Sequence, residues 1–490
     1  MPLVLTARER RAVVLVVVVV LVVRLATLGA YPLMDSTESR YAEIARKMLE
    51  TGNWLTPQFD YGVPFWGKPP LSTWVSAASM SALGVGAFAA RLPSFLLALA
   101  CAVPIAVHAK LRGGRDPVLW TIALFATTVL VFISAGAVMT DPALALGTTM
   151  SMTGFWVAVR GPDRHRLAAA SAFFAGLAIG LLAKGPIAIV LTFLPIGAFT
   201  LLTRGRRDVW TRLPWVGGLA VTAALAVPWY WAAERATPGF LDYFLVGEHW
   251  KRFVEPGWSG DLYGAAHAHP RGLIWLYWIA AALPWSAIAV GWLVRLLGRQ
   301  RAEAKNLVSD PWRVYLLAWA VAPMLFFTVS GNILATYVLP GLPAFALLVG
   351  DLWQPREHDD RTLRPPVRVL LAAGFVIPVL FIAGIVAGRD RFERALSHKA
   401  LVATWAAQRA NVGERLVYVG RPPPSADFYS AGKATKVPDI ATLAPLLDDP
   451  AADFFALRAG DLARLPEAAR SRLVPLGEFG DYRLLHESAP

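Results

Sequence analysis

A single cysteine, Cys101, in 490 residues leaves no partner for an intrachain disulfide, and its apolar surroundings give it a packing role. Charge is scarce as well: only 17% of the chain is Asp, Glu, Lys or Arg, whereas 56% is hydrophobic and 19 residues are tryptophan. This is the composition of a polytopic membrane protein. No Gly-x-Gly-x-x-Gly loop, P-loop, His-Glu-x-x-His or paired-cysteine spacing occurs, so neither a nucleotide-binding loop of those kinds nor a motif-borne metal site is expected.

The few charges are unevenly signed, 47 basic against 34 acidic for a net +13. That balance would suit a nucleic-acid binder, but the cations sit in short loops between apolar runs, which makes nucleic acid an unlikely partner and membrane topology the better reading. The clusters are Arg8/Arg10/Arg11, Lys110/Arg112/Arg115, Arg160/Arg164/Arg166, Arg204/Arg206/Arg207/Arg212, Arg295/Arg299/Arg301/Lys305 and Arg356/Arg361/Arg364/Arg368. Placing them in the cytoplasm makes about eleven apolar runs, from 12–30 to 366–388, alternate consistently. Residues 13–23 are Val and Leu throughout, enough to outweigh Arg24, and read as an uncleaved first helix. The run 70–84 breaks the alternation if it crosses, so a helix lying in or dipping into the outer interface is expected there.

The same parity puts on the outer side the loops 31–90 and 233–270, the turns at Asp141-Pro142, Lys184-Gly185-Pro186 and Ser330-Gly331-Asn332, and everything beyond residue 389. All candidate chemistry then shares one face. Residues 37–49 have helical spacing, with Tyr41, Ile44, Ala45 and Met48 on one stripe and Asp35, Ser36 or Thr37 as cap. The bland reading is a capped interfacial helix whose acids favour its positive end. Lys68 stands on a stiff Pro69-Pro70 segment facing the outer site, where an isolated lysine is more often a snorkelling surface residue but its charged company points to the site, and Lys184 interrupts the apolar run 167–203 at a hairpin tip where no cytoplasmic anchor is needed, so phosphate binding is its natural use. Asp141 before Pro142 fits a helix cap as readily as catalysis. Glu248-His249, with His267 and His269 later, offers metal-ligand types without metal-ligand spacing.

Taken together, Glu38-Ser39-Arg40-Tyr41-Ala42-Glu43-Ile44-Ala45-Arg46, Lys68-Pro69-Pro70, Ala90-Arg91-Leu92-Pro93-Ser94, Thr140-Asp141, Lys184-Gly185-Pro186, Glu248-His249 and Tyr337-Val338-Leu339-Pro340 resemble the membrane glycosyltransferases of the dolichyl-phosphate-mannose protein mannosyltransferase superfamily, and among them the bacterial lipid A aminoarabinose transferases. The resemblance covers roughly residues 30–350 and implies a GT-C architecture: an all-α polytopic domain over 1–388, of about 11–13 transmembrane helices, followed by a small periplasmic α/β domain over 389–490. It implies a polyprenyl (undecaprenyl) phosphate sugar as donor, a lipid or glycolipid acceptor hydroxyl, membrane lipids as surroundings, and a monomer in the bacterial inner membrane with its active site in the periplasm. A lipid-linked donor suits the lack of nucleotide motifs.

On that resemblance the reaction is displacement at the anomeric carbon. Asp35 or Glu38 acts as base or orients the hydroxyl, with Asp141 as a further catalytic candidate. Arg40, Lys68, Lys184 and Tyr337 receive the departing phosphate, and Glu248 and His249 position acceptor or neighbours. Two departures stand out. Thr37 replaces the family Asp directly before Glu38, and Gly67 replaces a family Glu before Lys68, so a divalent metal held with His249 lacks one ligand and no cofactor is required that the sequence shows. In the last hundred residues a helical stretch 391–410, a strand 415–419 and strands near 453–457 and 481–485 are expected, and Phe428-Tyr429-Ser430 read better as packing than as acceptor contacts. A protein O-mannosyltransferase-like enzyme and a lipid-linked sugar transporter or flippase are the alternatives; the latter would show internal repeats and midplane charges, which this chain lacks.

Overall fold

The computed structural model describes residues 3–35, 37–203, 206–264, 267–297, 309–354, 363–411, 413–448 and 452–487. Ser36, Arg204, Arg299, Arg301, Lys305, Arg356 and Arg361 of the sequence reading lie outside them. Helices dominate. The first, α1 (Ala7–Ala26), opens with a capping box in which Thr6 and Glu9 exchange hydrogen bonds with each other's backbone N–H groups. Arg24 is tolerated near its end because the buried guanidinium donates to Thr27 Oγ1, Tyr31 Oη and the Ile133 carbonyl and lies over the Phe381 ring.

Then follow α2 (Thr37–Thr51), a short hairpin of β1 (Gln58–Asp60) and β2 (Val63–Pro64), α3 (Leu71–Leu83), α4 (Ala87–Lys110), α5 (Arg115–Ala126), α6 (Val129–Ser134), α7 (Asp141–Arg160), α8 (Arg166–Lys184) and α9 (Ile187–Thr203). With 13 residues, α3 is about 20 Å long and too short to cross a bilayer; it packs on α2, α4 and α8. Among the described residues six helices are long and apolar enough to span: Ala87–Lys110, Asp141–Arg160, Asp163–Lys184, Trp215–Ala236, Ala335–Leu352 and Pro365–Ala387. Ile187–Thr203, Trp285–Val294 and Pro311–Phe327 are shorter apolar helices.

Two of the eleven apolar runs, 117–137 and 271–294, are each divided into two helices, Arg115–Ala126 with Val129–Ser134 and Leu273–Ala281 with Trp285–Leu297. The first stops at Thr127-Thr128, whose hydroxyls bond back to the Ala123 and Leu124 carbonyls; the second stops at Pro284, which has no N–H to give. The breaks satisfy one another. Val129 N donates to the Leu283 carbonyl at 2.9 Å and Trp285 Nε1 to the Leu124 carbonyl at 2.9 Å, so the freed backbone groups find partners inside the apolar core.

At the centre, α7 and α8 form an antiparallel hairpin of 20 and 19 residues whose backbones touch. A Cβ on Gly147 would stand 2.7 Å from the Gly176 carbonyl oxygen, so only glycine permits this approach. Because the two helices have nearly equal lengths, the first residue of α7 is brought back beside the last residue of α8.

Beyond the helix Pro365–Ala387 come two short helices, Arg389–Arg394 and Lys399–Gln408, in place of the single stretch expected over 391–410. A five-stranded sheet follows, ordered β4-β3-β5-β7-β6, with β3 (Leu416–Val419), β4 (Ala434–Val437), β5 (Phe454–Arg458), β6 (Leu473–Phe479) and β7 (Tyr482–Glu487). β3 runs parallel to β4 and β5, and β7 antiparallel to β5 and β6. Sequence reading missed β4 and β6, which are half-exposed edge strands with weak alternation. Phe428 packs among Leu33, Ala42, Ala45 and Met48, and Tyr429 Oη accepts from Leu33 N at 2.7 Å, so both aromatics dock the sheet domain onto α2 and its lead-in.

Candidate active site

Asp141 opens α7 and Lys184 closes α8, and the hairpin sets Lys184 Nζ 2.7 Å from Asp141 Oδ1. Gly185 turns the chain at φ +82°, and a Cβ there would meet the Phe244 ring at 2.5 Å and the His249 ring at 3.2 Å. The segment thus packed against the hairpin, Tyr243–Lys251, is wound as a π-helix, a rare geometry frequent at functional sites. It presents Glu248, whose Oε2 accepts from Lys68 Nζ at 2.9 Å and whose Oε1 accepts from Arg252 Nη1 at 2.9 Å. Arg252 also donates to Asp261 at 3.0 Å, and Asn332 holds the turn by donating to the Arg252 and Glu255 carbonyls at 2.6 and 2.7 Å.

Tyr337, in the tight turn Ala335–Gly341, lies under Lys184 Nζ at 4.5 Å from its ring centre. Burial opposes the charges of Lys68 and Glu248, but each is outweighed by the other's field. Lys68 rises above the ordinary lysine range, and Glu248, with Arg252 adding to Lys68, falls to about 2.

Two cavities meet at this cluster. One, of about 480 Å³, is lined mainly by apolar side chains including Leu144, Ile187, Val190, Leu191, Phe253 and Phe326. The other, of about 450 Å³, is lined by Thr37, Arg40, Tyr41, Thr140, Asp141, Asp261 and His267 among others. Lys68, Lys184, Glu248, Arg252 and Tyr337 belong to both and form the wall between them. A molecule with a long apolar part, one anionic group and a polar head would place those three parts in the apolar cavity, at the wall and in the polar cavity.

The sequence-predicted residues divide accordingly. Lys68, Lys184, Tyr337, Glu248, Asp141 and Arg40 are brought together on the cavities; Arg40 donates to the Tyr263 carbonyl and has no carboxylate partner among the described residues. Asp35 and Glu38 line neither cavity. Both Asp35 oxygens accept from Ser425, and burial raises its carboxyl above the usual range; Glu38 is held by buried Arg91 at 2.7 and 2.8 Å, with Arg91 also capping the Leu28, Tyr31 and Pro32 carbonyls. These two acids lock the loop after α1 against the sheet domain and α4.

His249 lines the apolar cavity, and its two ring nitrogens face the Phe244 and Lys184 carbonyls at 2.7 and 3.2 Å. Burial lowers its pKa. Gly67 contributes only backbone to the polar cavity, and among the described residues no three His, Cys, Asp or Glu side chains gather to hold a metal. The residues present do not fit a divalent ion at His249. Arg252, Asp261 and Asn332 were missed by sequence reasoning; Arg252 follows His249 by three residues, and only the turn of the π-helical segment shows that it points to the same wall.

The helical bundle with its cavity at one end and its appended sheet define a membrane protein of the GT-C type. The profile described as dolichyl-phosphate-mannose-protein mannosyltransferase matches residues 8–244. Among the curated proteins the chain is similar to are aminoarabinosyl transferases. It is 31% identical over 370 residues, 75% of this chain, to the undecaprenyl phosphate-alpha-4-amino-4-deoxy-L-arabinose arabinosyl transferase of Pseudomonas savastanoi pv. phaseolicola. It is 30% identical over 338 residues, 68% of this chain, to the Enterobacter sp. enzyme of the same name. The matched part spans 65% and 57% of those relatives' own lengths. In structure it is similar to ArnT from Cupriavidus metallidurans bound to undecaprenyl phosphate, with a TM-score of 0.81 at 20% identity, covering 97% of this chain and 98% of that one.

Proposed function

We propose that the chain is a glycosyltransferase that moves a sugar from a polyprenyl phosphate to a hydroxyl of lipid A or another envelope glycolipid, at the periplasmic face of the inner membrane. The observation that carries this reading is the charged wall between an apolar and a polar cavity. The prenyl chain lies in the apolar cavity, the phosphate against Lys68, Lys184, Arg252 and the Tyr337 hydroxyl, and the sugar in the polar cavity beside the acceptor. The names of the curated relatives and the structural likeness to a protein bound to undecaprenyl phosphate support it.

In the reaction the acceptor oxygen bonds to the anomeric carbon as the bond from that carbon to the phosphate oxygen breaks. Asp141, the carboxylate of the wall's Lys184 pair, takes the acceptor proton. Lys68, Lys184 and Arg252 stabilise the charge that gathers on the leaving phosphate, in a site where they are already fixed by ion pairs and need little rearrangement. Arg40 faces the polar cavity and orients the acceptor or the sugar. The test is mass spectrometry of lipid A and envelope glycolipids from cells with and without the gene. A sugar-sized mass difference that vanishes with Asp141→Asn is expected; identical glycolipids would overturn the reading.

A further inference from the structure

The cations of the wall are already paired. Lys68, Arg252 and Lys184 are matched by Glu248, Asp261 and Asp141 in direct ion pairs, so among the described residues each cation of the wall already holds a carboxylate. Glu248 differs from the other two acids in its placement. Its carboxylate bridges two cations from separate parts of the chain, one oxygen to each, as two oxygens of a phosphate would, and it lines both cavities. Among the described residues its only other side-chain neighbour within hydrogen-bonding range is the Tyr243 hydroxyl at 3.4 Å.

We infer that Glu248 is an internal stand-in for the donor phosphate: it occupies the seat between Lys68 and Arg252 in the empty protein and yields it when a prenyl phosphate binds. This rests on the donor reading above. Without such a carboxylate, two buried cations would face each other unpaired in the empty site, a costly arrangement. With it, the site stays closed to stray anions and opens only to a ligand whose prenyl chain adds burial in the apolar cavity. The π-helical winding supplies the means of withdrawal. Glu248 is within the π segment and Arg252 begins the α-helical turn that follows, so rewinding the segment toward α geometry rotates Glu248 away from the wall while Asn332 keeps Arg252 in place.

The test is titration of the purified full chain with farnesyl phosphate, followed by tryptophan fluorescence, for the wild type, Glu248→Gln and Glu248→Asp. A residue that only braces the two cations would weaken binding when changed. A stand-in competes with the ligand, so its removal tightens binding, by about tenfold or more if the competing state dominates. The Gln variant is expected to bind farnesyl phosphate more tightly than wild type, and the Asp variant, one methylene too short to bridge both cations, to lie between them. The Asp variant decides if the Gln variant does not fold. Equal or weaker binding by the folded variants overturns the inference and leaves the donor reading intact. No saturable binding by wild type or variants overturns both.

Discussion

Two buried charged clusters lie near the same end of the molecule, and they differ in what they enclose. One surrounds α2: Glu43, Arg46 and Lys47 are all nearly inaccessible, Arg46 grips Glu43 at 2.7 Å, Lys47 reaches the Phe59 carbonyl, and Lys436 of the sheet domain pairs with Asp60. The other is the wall of Lys68, Glu248, Arg252, Asp261, Lys184 and Asp141. Glu43, Arg46 and Lys47 line neither of the two cavities and tie α2 to the hairpin, while the second cluster borders both. The dense charge of residues 35–50 marks the docking cluster at least as strongly as the site. What separates them is empty space.

The largest expected difference is in catalysis. Lys184→Ala and Lys68→Ala should each lower sugar transfer in membranes by roughly 10² to 10³-fold, as loss of a fixed donor to developing charge does, with donor dependence shifted more than folded yield. Lys47→Met should do the reverse: it leaves Glu43 without one cation and is expected to cost about 3 kcal/mol of stability, read as a lower Tm, while turnover per folded molecule stays near wild type. If Lys47→Met abolished turnover in folded protein, the division into docking and reacting clusters would be broken.

A sharper comparison sets two aspartates side by side. Asp141→Asn is expected to reduce kcat by about a hundredfold or more, the range of a lost general base. Asp35→Asn should leave kcat within a few-fold and instead loosen the sheet domain, seen as faster proteolytic cleavage near residues 388–398, because its carboxylate binds Ser425 rather than substrate. Equal losses of kcat would return Asp35 to the reaction.

The pH dependence of stability differs in sign between the clusters. Glu248 is lowered from 4.5 to about 2, so its ion pairs contribute stability that is complete above pH 4.5 and lost as pH falls toward 2, about 3 kcal/mol for a shift of that size. Asp427, beside the docking cluster, is raised to about 6 mainly by burial, with Lys47 opposing and Glu43 adding to the rise. Its folded form holds a proton more tightly than the unfolded chain, so it gains stability as pH falls from above 6 toward 3.8. Thermal unfolding of Glu248→Gln and Asp427→Asn between pH 3 and 7 should show these opposite slopes removed one at a time.

The membrane class and the C-terminal sheet domain were legible in the sequence, and Lys68, Asp141, Lys184, Glu248 and Tyr337, which the structure gathers on one cavity, were singled out there as local anomalies such as a lysine at an apolar hairpin tip or an acid before a proline. The hydrogen-bond partners of Asp35 and Glu38 were not legible, since Ser425 and Arg91 are 390 and 53 residues away. Arg252 escaped notice because a π-helical turn has a different period from the α-helical pattern used to judge which residues share a face. The divided helices were hidden by composition: Thr127-Thr128 and Pro284 occur in runs apolar enough to cross, and only their mutual hydrogen bonds show that they stop.

The most direct test of the charged wall is to titrate the purified chain with farnesyl phosphate and with farnesol, which share an apolar tail and differ in the anionic group. Saturable binding of the phosphate, at least about a hundredfold tighter than the alcohol and reduced toward it in Lys68→Ala and Lys184→Ala, is expected from cations placed between the two cavities. Equal binding of the two ligands, or a preference for the phosphate that survives both substitutions, would contradict it.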